Sequence, residues 1–492
     1  MKQIFKSKIF WISLLTAIVT LLFCSKCSFL YTFNSWCDVN CFMTVGKSMM
    51  KGKVLYKDIY EQKGLLLFLI YGLSSLVSKT TFYPIFFVEV LCDTFFIYFV
   101  YKTATLFTKK VSWVFIPIIN ALVYSSMFFA VGGGAEEFAM PFLAYAFYAF
   151  CEYHLNDEDN KSRIEYSKIM LLGISAAFIF WNKYTVLGLI AGLLIALVYD
   201  YIIGKHFKEV LVSAVYFILG WALISIPCLL YFAANNALLD LWKGYFYDNI
   251  FIYGDVPSSM VPSVYQVLRS PIAMVIMAVA IIILIIMFMT NKSKFLELLR
   301  KKKMRLGIEL GIIILFTLVS TVGLGRIYKY YILPLTVFSS LFIVLATKLL
   351  NRIEIKRIWI KNILTTCICL GLIPYMLMVS LSTPDLFKPH KEMVQYQFAD
   401  TIKKTKNATL LTYDWLDDGF YFAANIEPNC KYFHGYNIPL KEIKNEQHSK
   451  MNNRQITFVA SMNSEVDKII PQYKKVQEGQ QDDQHWYLYK LK

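Results

Sequence analysis

The sequence predicts a polytopic α-helical membrane protein of about eleven transmembrane helices, with an interfacial helix in its first outer loop and a small C-terminal outward-facing α/β domain. Three observations predict it. Of 492 residues, 57% are hydrophobic and only 17% are charged, and the mean hydropathy is +0.49, which places the chain outside ordinary soluble domains. Apolar runs of about twenty residues recur as far as position 382. From Pro384 onward Lys, Asn, Gln, Asp and Glu become common and no run is long enough to span. The chain thus divides into a membrane module, 1–383, and an extracytoplasmic domain, 384–492.

The elements follow in order. Lys2, Lys6 and Lys8 hold the N-terminus in the cytoplasm, and the run at about 9–30, which lacks a small-residue cleavage site, is a retained first span in the plasma membrane. It delivers a polar loop, Trp36 to Gly64, to the outside. Gly64 to Lys79 then decides the topology, because it is apolar but only about sixteen residues long. Counting it as a span would put Lys109-Lys110, Lys161 to Arg163 and Arg300 to Lys303 outside, against the positive-inside rule. Leu65 to Val77 is therefore read as a helix lying in the outer interface. The remaining spans fall at about 83–104, 111–131, 137–155, 167–181, 184–203, 209–232, 271–290, 306–324, 330–350 and 361–382. The C-terminal domain reads as a helix (391–404), strands at 408–413 and 456–460, a helix near 463–473, and a closing strand at 486–491.

The net charge of +16 fits cytoplasmic Lys and Arg facing anionic lipid, and excludes nucleic acid as the natural partner. Ten cysteines are scattered, most of them in apolar runs where they behave as small hydrophobes. Cys37 and Cys41 flank Asp38 four residues apart, a spacing open to a disulfide or a metal, though unpaired thiols are the plainer reading.

The unusual residues sit at the outer ends of spans. Asp38 follows the first span and can take a proton from an attacking hydroxyl or cap the helix after Asn40. Asp58 and Glu61 lie in the same loop. Glu136 and Glu137 follow three glycines; they can position an acceptor, hold a divalent cation such as Mg or Mn, or favour the dipole of the next helix. Lys63, Lys183, Arg326 and Lys329 run against the positive-inside trend, which binding of a phosphate would explain and snorkelling to headgroups would explain singly. Glu89 and Asp93 share one face of the second span. Intramembrane acids by default carry function or a buried partner, so this pair supports an alternative reading, a transporter or flippase for a lipid-linked or anionic solute.

Asp38-Val-Asn40, Met49-Met50-Lys-Gly52, Tyr56-Lys-Asp58 and Lys63-Gly64 ahead of an interfacial apolar helix resemble the first outer loop of the GT-C superfamily. The similarity is to its branch of protein O-mannosyltransferases and the lipid A aminoarabinose transferase. Gly132-Gly-Gly-Ala-Glu136-Glu137 is similar to the acidic second outer loop of bacterial members, and Lys329-Tyr330-Tyr331 with Pro334 to their late aromatic-basic motif. The chain departs from the pattern with Val39 where Glu is frequent and Gly64 where Pro is frequent. The resemblance, over about residues 1–380, implies transfer of a sugar from a polyprenyl phosphate to an extracytoplasmic envelope acceptor with inversion. It implies Asp38 as base and Lys63, Arg326 and Lys329 on the donor phosphate, with Lys183 a fourth outer cation.

Overall fold

The computed structural model describes residues 2–155, 163–253, 302–322, 328–351, 357–481 and 484–492. Among these, five helical stretches are long and apolar enough to cross a membrane by length and composition: Tyr83–Phe107, Tyr166–Ile203, Phe207–Ala234, Lys329–Leu350 and Asn362–Val379. Shorter apolar helices cover Lys8–Cys24, Leu65–Val77 and Phe115–Tyr124, and Ala135–Leu155 forms a helix around Pro141. The protein is thus a multi-pass membrane protein. The expected span at 271–290 and Arg326 lie outside the described residues. The turn expected at Asn182-Lys183 is a 3-10 segment, Tyr184–Leu187, between two α-helices.

The polar stretch Trp36–Gly64 is not all loop. Cys37–Met49 is a helix, here α1, with Asp38 in its first turn, where a carboxylate favours the dipole. Nearly all of its residues from Val39 onward are buried, polar ones included, so tertiary packing rather than amphipathic pattern holds it. The expected interfacial helix, α2, spans Leu65–Val77. It buries Leu67, Phe68 and Tyr71 and leaves Leu73, Leu76 and Val77 exposed at 59, 63 and 79%, an apolar face suited to a membrane interface. The two helices meet backbone to backbone. A Cβ on Gly46 would stand 2.5 Å from the Gly72 nitrogen, and one on Gly72 would stand 2.9 Å from the Gly46 oxygen, so only glycine fits at either place.

The C-terminal segment forms a four-stranded sheet of order β1-β2-β4-β3: β1 Leu410–Tyr413, β2 Phe458–Ser461, β3 Tyr473–Gln481 and β4 Gln484–Leu491. β1 and β2 are parallel, joined through the helices Phe420–Ala424 and Lys441–Asn452, and the other pairs are antiparallel. The helix expected near 463–473 is a single turn, Val466–Ile469, followed by β3. That strand was hidden because it lies at the sheet edge and carries Lys474, Lys475 and Glu478, charges that blunt an edge at the expense of an apolar signal.

This segment is seated on the first loop. Phe422 stacks on Phe82 with ring centroids 4.4 Å apart, Lys26 pairs with Asp385 at 2.5 Å, and Thr44 donates to Asp417 at 2.7 Å. The Tyr60 amide donates to the Lys431 carbonyl at 3.1 Å, and the Tyr436 hydroxyl donates to the Tyr60 carbonyl at 2.8 Å. One hydrophobic core runs from α1 and α2 into Phe420, Phe433 and Trp486, so the first loop is held between the helical bundle and the sheet.

Candidate active site around the first loop

The expected outer ends of distant helices converge on the start of α1. Asp38 is half-buried, and the Tyr330 hydroxyl donates to its Oδ2 at 3.2 Å. Tyr330 opens the 3-10 segment Lys329–Phe338, and its ring meets Trp36 edge-on at 5.1 Å. The carboxylate is thereby oriented by one hydrogen bond while retaining acceptor capacity.

Two acid–cation pairs flank it. Lys63 Nζ lies 3.7 Å from Glu61 Oε1. Burial pulls the Lys63 ammonium down, but Glu61 first and Asp38 second outweigh it and hold it well above its usual value. Burial likewise pushes the Glu61 carboxyl up, yet Lys63 and the hydrogen-bonding His434 bring it below the ordinary range. Both groups are therefore charged at neutral pH. On the other flank Lys183 closes on Glu136 and lies over the ring of Tyr331 at 3.9 Å and of Tyr330 at 5.3 Å.

The two flanks are joined through the backbone. Asn182 donates to the Ala135 carbonyl at 2.7 Å, and its own carbonyl accepts from the Gly64 amide at 3.0 Å. A Cβ on Gly64 would stand 2.0 Å from the Trp181 oxygen, and proline at this position could not donate the bond. The departure at Gly64 thus has a physical reason. Around Gly132 and Gly133, both at positive φ, Asn34 donates to the Gly132 carbonyl at 3.2 Å and Tyr71 to that of Gly133 at 2.5 Å.

Other expected residues do not join the cluster. Asp58 is exposed and accepts from the Val54 amide at 2.8 Å, closing its own turn. Glu137 accepts from the Gly133 amide at 3.0 Å, and Lys329 is exposed. Asp58, Glu136 and Glu137 each have a separate partner. Among the described residues, the group with ligand spacing is Cys41, Glu61 and His434. Glu89 and Asp93 are buried, accepting from Ser25 at 2.7 Å and from Asn120 at 2.9 Å.

Sequence reasoning missed Tyr330 as the partner of Asp38, although its aromatic-basic context was visible. It also missed His434, for which no local signal exists: its contact with Cys41 spans 393 positions.

No family model matches the sequence, and no curated protein matches it. Two solved structures resemble the whole chain: ArnT from Cupriavidus metallidurans bound to undecaprenyl phosphate, and the same protein in its apo state. The TM-scores are 0.59 and 0.56; each match has 10% identity and covers 98% of this chain and 97% of the other. At that identity the likeness is one of fold: this chain shares the fold of those ArnT structures over nearly its whole length.

Proposed function

We propose that the chain is an integral membrane glycosyltransferase that moves a sugar from a polyprenyl-phosphate donor to an extracytoplasmic envelope acceptor, inverting the anomeric carbon. The observation that carries this reading is the convergence of Asp38, Lys63 and Lys183 from three separate segments, in a fold shared with a protein solved with undecaprenyl phosphate. Asp38 takes the acceptor proton, aimed by Tyr330. Lys63 holds the donor phosphate, joined by Arg326 and Lys329 from the late outer loop. As the glycosidic bond breaks, the lipid phosphate gains negative charge, and cations fixed in advance lower that barrier. Lys183, already paired with Glu136, adds field rather than a contact. Glu136, Glu61 and Asp58 position loops around the acceptor. The buried partners of Glu89 and Asp93 favour this reading over a proton-coupled transporter.

The test is transfer of labelled sugar from polyprenyl phosphate by the reconstituted protein. Loss of a general base costs about a hundredfold to ten-thousandfold in rate with little effect on ground-state binding, so Asp38→Asn should bind donor and transfer slowly. Full transfer by well-folded Asp38→Asn would remove Asp38 as the base.

A further inference from the structure

Between the first loop and the C-terminal segment lies a group of side chains that the transfer reading does not use as a unit. Cys41 comes from α1, Glu61 from the segment before α2, and His434 from the stretch after β1; all three are buried, at 2, 6 and 0% exposure. His434 Nε2 stands 3.6 Å from Cys41 Sγ and 3.6 Å from Glu61 Oε2, and the three ligand atoms lie within 4.8 Å of one another. We propose that Cys41, Glu61 and His434 bind one zinc ion, which staples the first loop to the C-terminal sheet.

The geometry suits that ion. Zinc bonds of about 2.0 to 2.3 Å at tetrahedral angles place neighbouring ligand atoms about 3.5 Å apart, the separation found on both sides of the imidazole. The charge suits it too, since a thiolate, a carboxylate and a neutral imidazole balance a divalent cation. Sulfur and nitrogen donors select zinc over magnesium or calcium. The outer hydrogen bonds are those of a ligand set. His434 Nδ1 is 2.5 Å from the Gly435 carbonyl, which can only accept, so Nδ1 carries a proton and Nε2 is the ring nitrogen that faces the thiol and the carboxylate. Tyr436 stacks on the imidazole at 3.9 Å and fixes its plane. Asp417, whose carbonyl is 3.9 Å from Cys41 Sγ, spends its carboxylate on Thr44 and the Gly419 amide and stays in the outer shell. Three protein ligands leave one position for water or a ligand group. In binding, the zinc replaces the Cys41 thiol proton, which leaves to solvent.

The rival arrangement is a protonated His434 paired with Glu61 beside a neutral thiol, with no metal. The proposal stands independently of sugar transfer, because its readouts are metal content and absorption. Full-length protein is purified with its affinity tag removed, and zinc is measured by elemental analysis after dialysis. The expected result is about one zinc per chain, at least tenfold less in Cys41→Ser and in His434→Gln. Wild-type protein stripped with chelator and titrated with cobalt should develop thiolate-to-cobalt charge-transfer absorption, which needs no variant to fold. A folded wild-type protein that takes up neither zinc nor cobalt overturns the proposal. So does zinc content unchanged in both variants, or cobalt binding without the charge-transfer band.

Discussion

The two acid–cation pairs beside Asp38 have the same composition and different geometry. Glu61 and Lys63 stand 3.7 Å apart with the lysine side chain 18% exposed, and Glu61 divides its carboxylate between Lys63 and His434. Glu136 and Lys183 are closed on each other at 4 and 7% exposure, with Tyr331 covering the ammonium. A loose, partly exposed lysine has N–H donors to offer an incoming anion; a closed, covered one has its donors already engaged. In the proposed division of labour, the pair that looks stronger fixes helix ends and the looser pair meets the donor.

The largest expected effect separates the pairs by stability. Lys183→Met leaves Glu136 buried and uncompensated, which costs about 3 to 5 kcal/mol. The melting temperature in detergent should fall sharply, and adding Glu136→Gln should restore most of it. A single variant as stable as the parent would show that the closed pair holds nothing.

A smaller effect separates them by binding. Lys63→Ala removes a charged phosphate contact worth about 1.5 to 3 kcal/mol, so affinity for polyprenyl phosphate should drop about tenfold or more while the melting temperature falls less than in Lys183→Met, because His434 still faces Glu61. Equal losses of donor affinity in Lys63→Ala and in the Lys183→Met, Glu136→Gln double variant would erase the distinction.

The smallest effect sharpens it through pH. Glu61 is held below the usual carboxylate value despite burial, through Lys63 and His434. Its contribution is therefore present above the unfolded-state value of about 4.3 and is lost as pH falls through the lower folded-state value. In metal-stripped protein, the stability difference between wild type and Glu61→Gln should hold at pH 7 and shrink below about pH 4. A difference that stayed constant with pH would place the Glu61 contribution outside electrostatics.

Local signals made some of this legible in the sequence and hid the rest. Leu65–Val77 was read with its observed bounds because an apolar run between Gly64 and Ser78 speaks for itself. Asp38, Glu136, Lys183 and the Lys329-Tyr330-Tyr331 run stood out as polar residues at span ends, so their region was visible before their partners were. Helix α1 was not, since its sequence, with Asp38, Asn40, Lys47 and Ser48, carries no clean stripe and its order comes from burial between α2 and the sheet. The Cys41–Glu61–His434 group was invisible for a related reason: one member belongs to a segment folded back from nearly four hundred positions away, and a single histidine has no period. The loose and closed states of the two lysines depend on side-chain placement that no sequence pattern encodes.

The contact between Gly46 and Gly72 has a mechanical consequence. With the two backbones so close that a Cβ on either glycine would clash, α1 and α2 pack as a single plate. Leu73, Leu76 and Val77 form the exposed apolar end of that plate, and Asp38 lies in the first turn of its other helix. Where that end lies in the membrane interface, a rigid plate fixes how far the Asp38 carboxylate stands from the hydrocarbon, and any larger residue at Gly46 or Gly72 would change that distance.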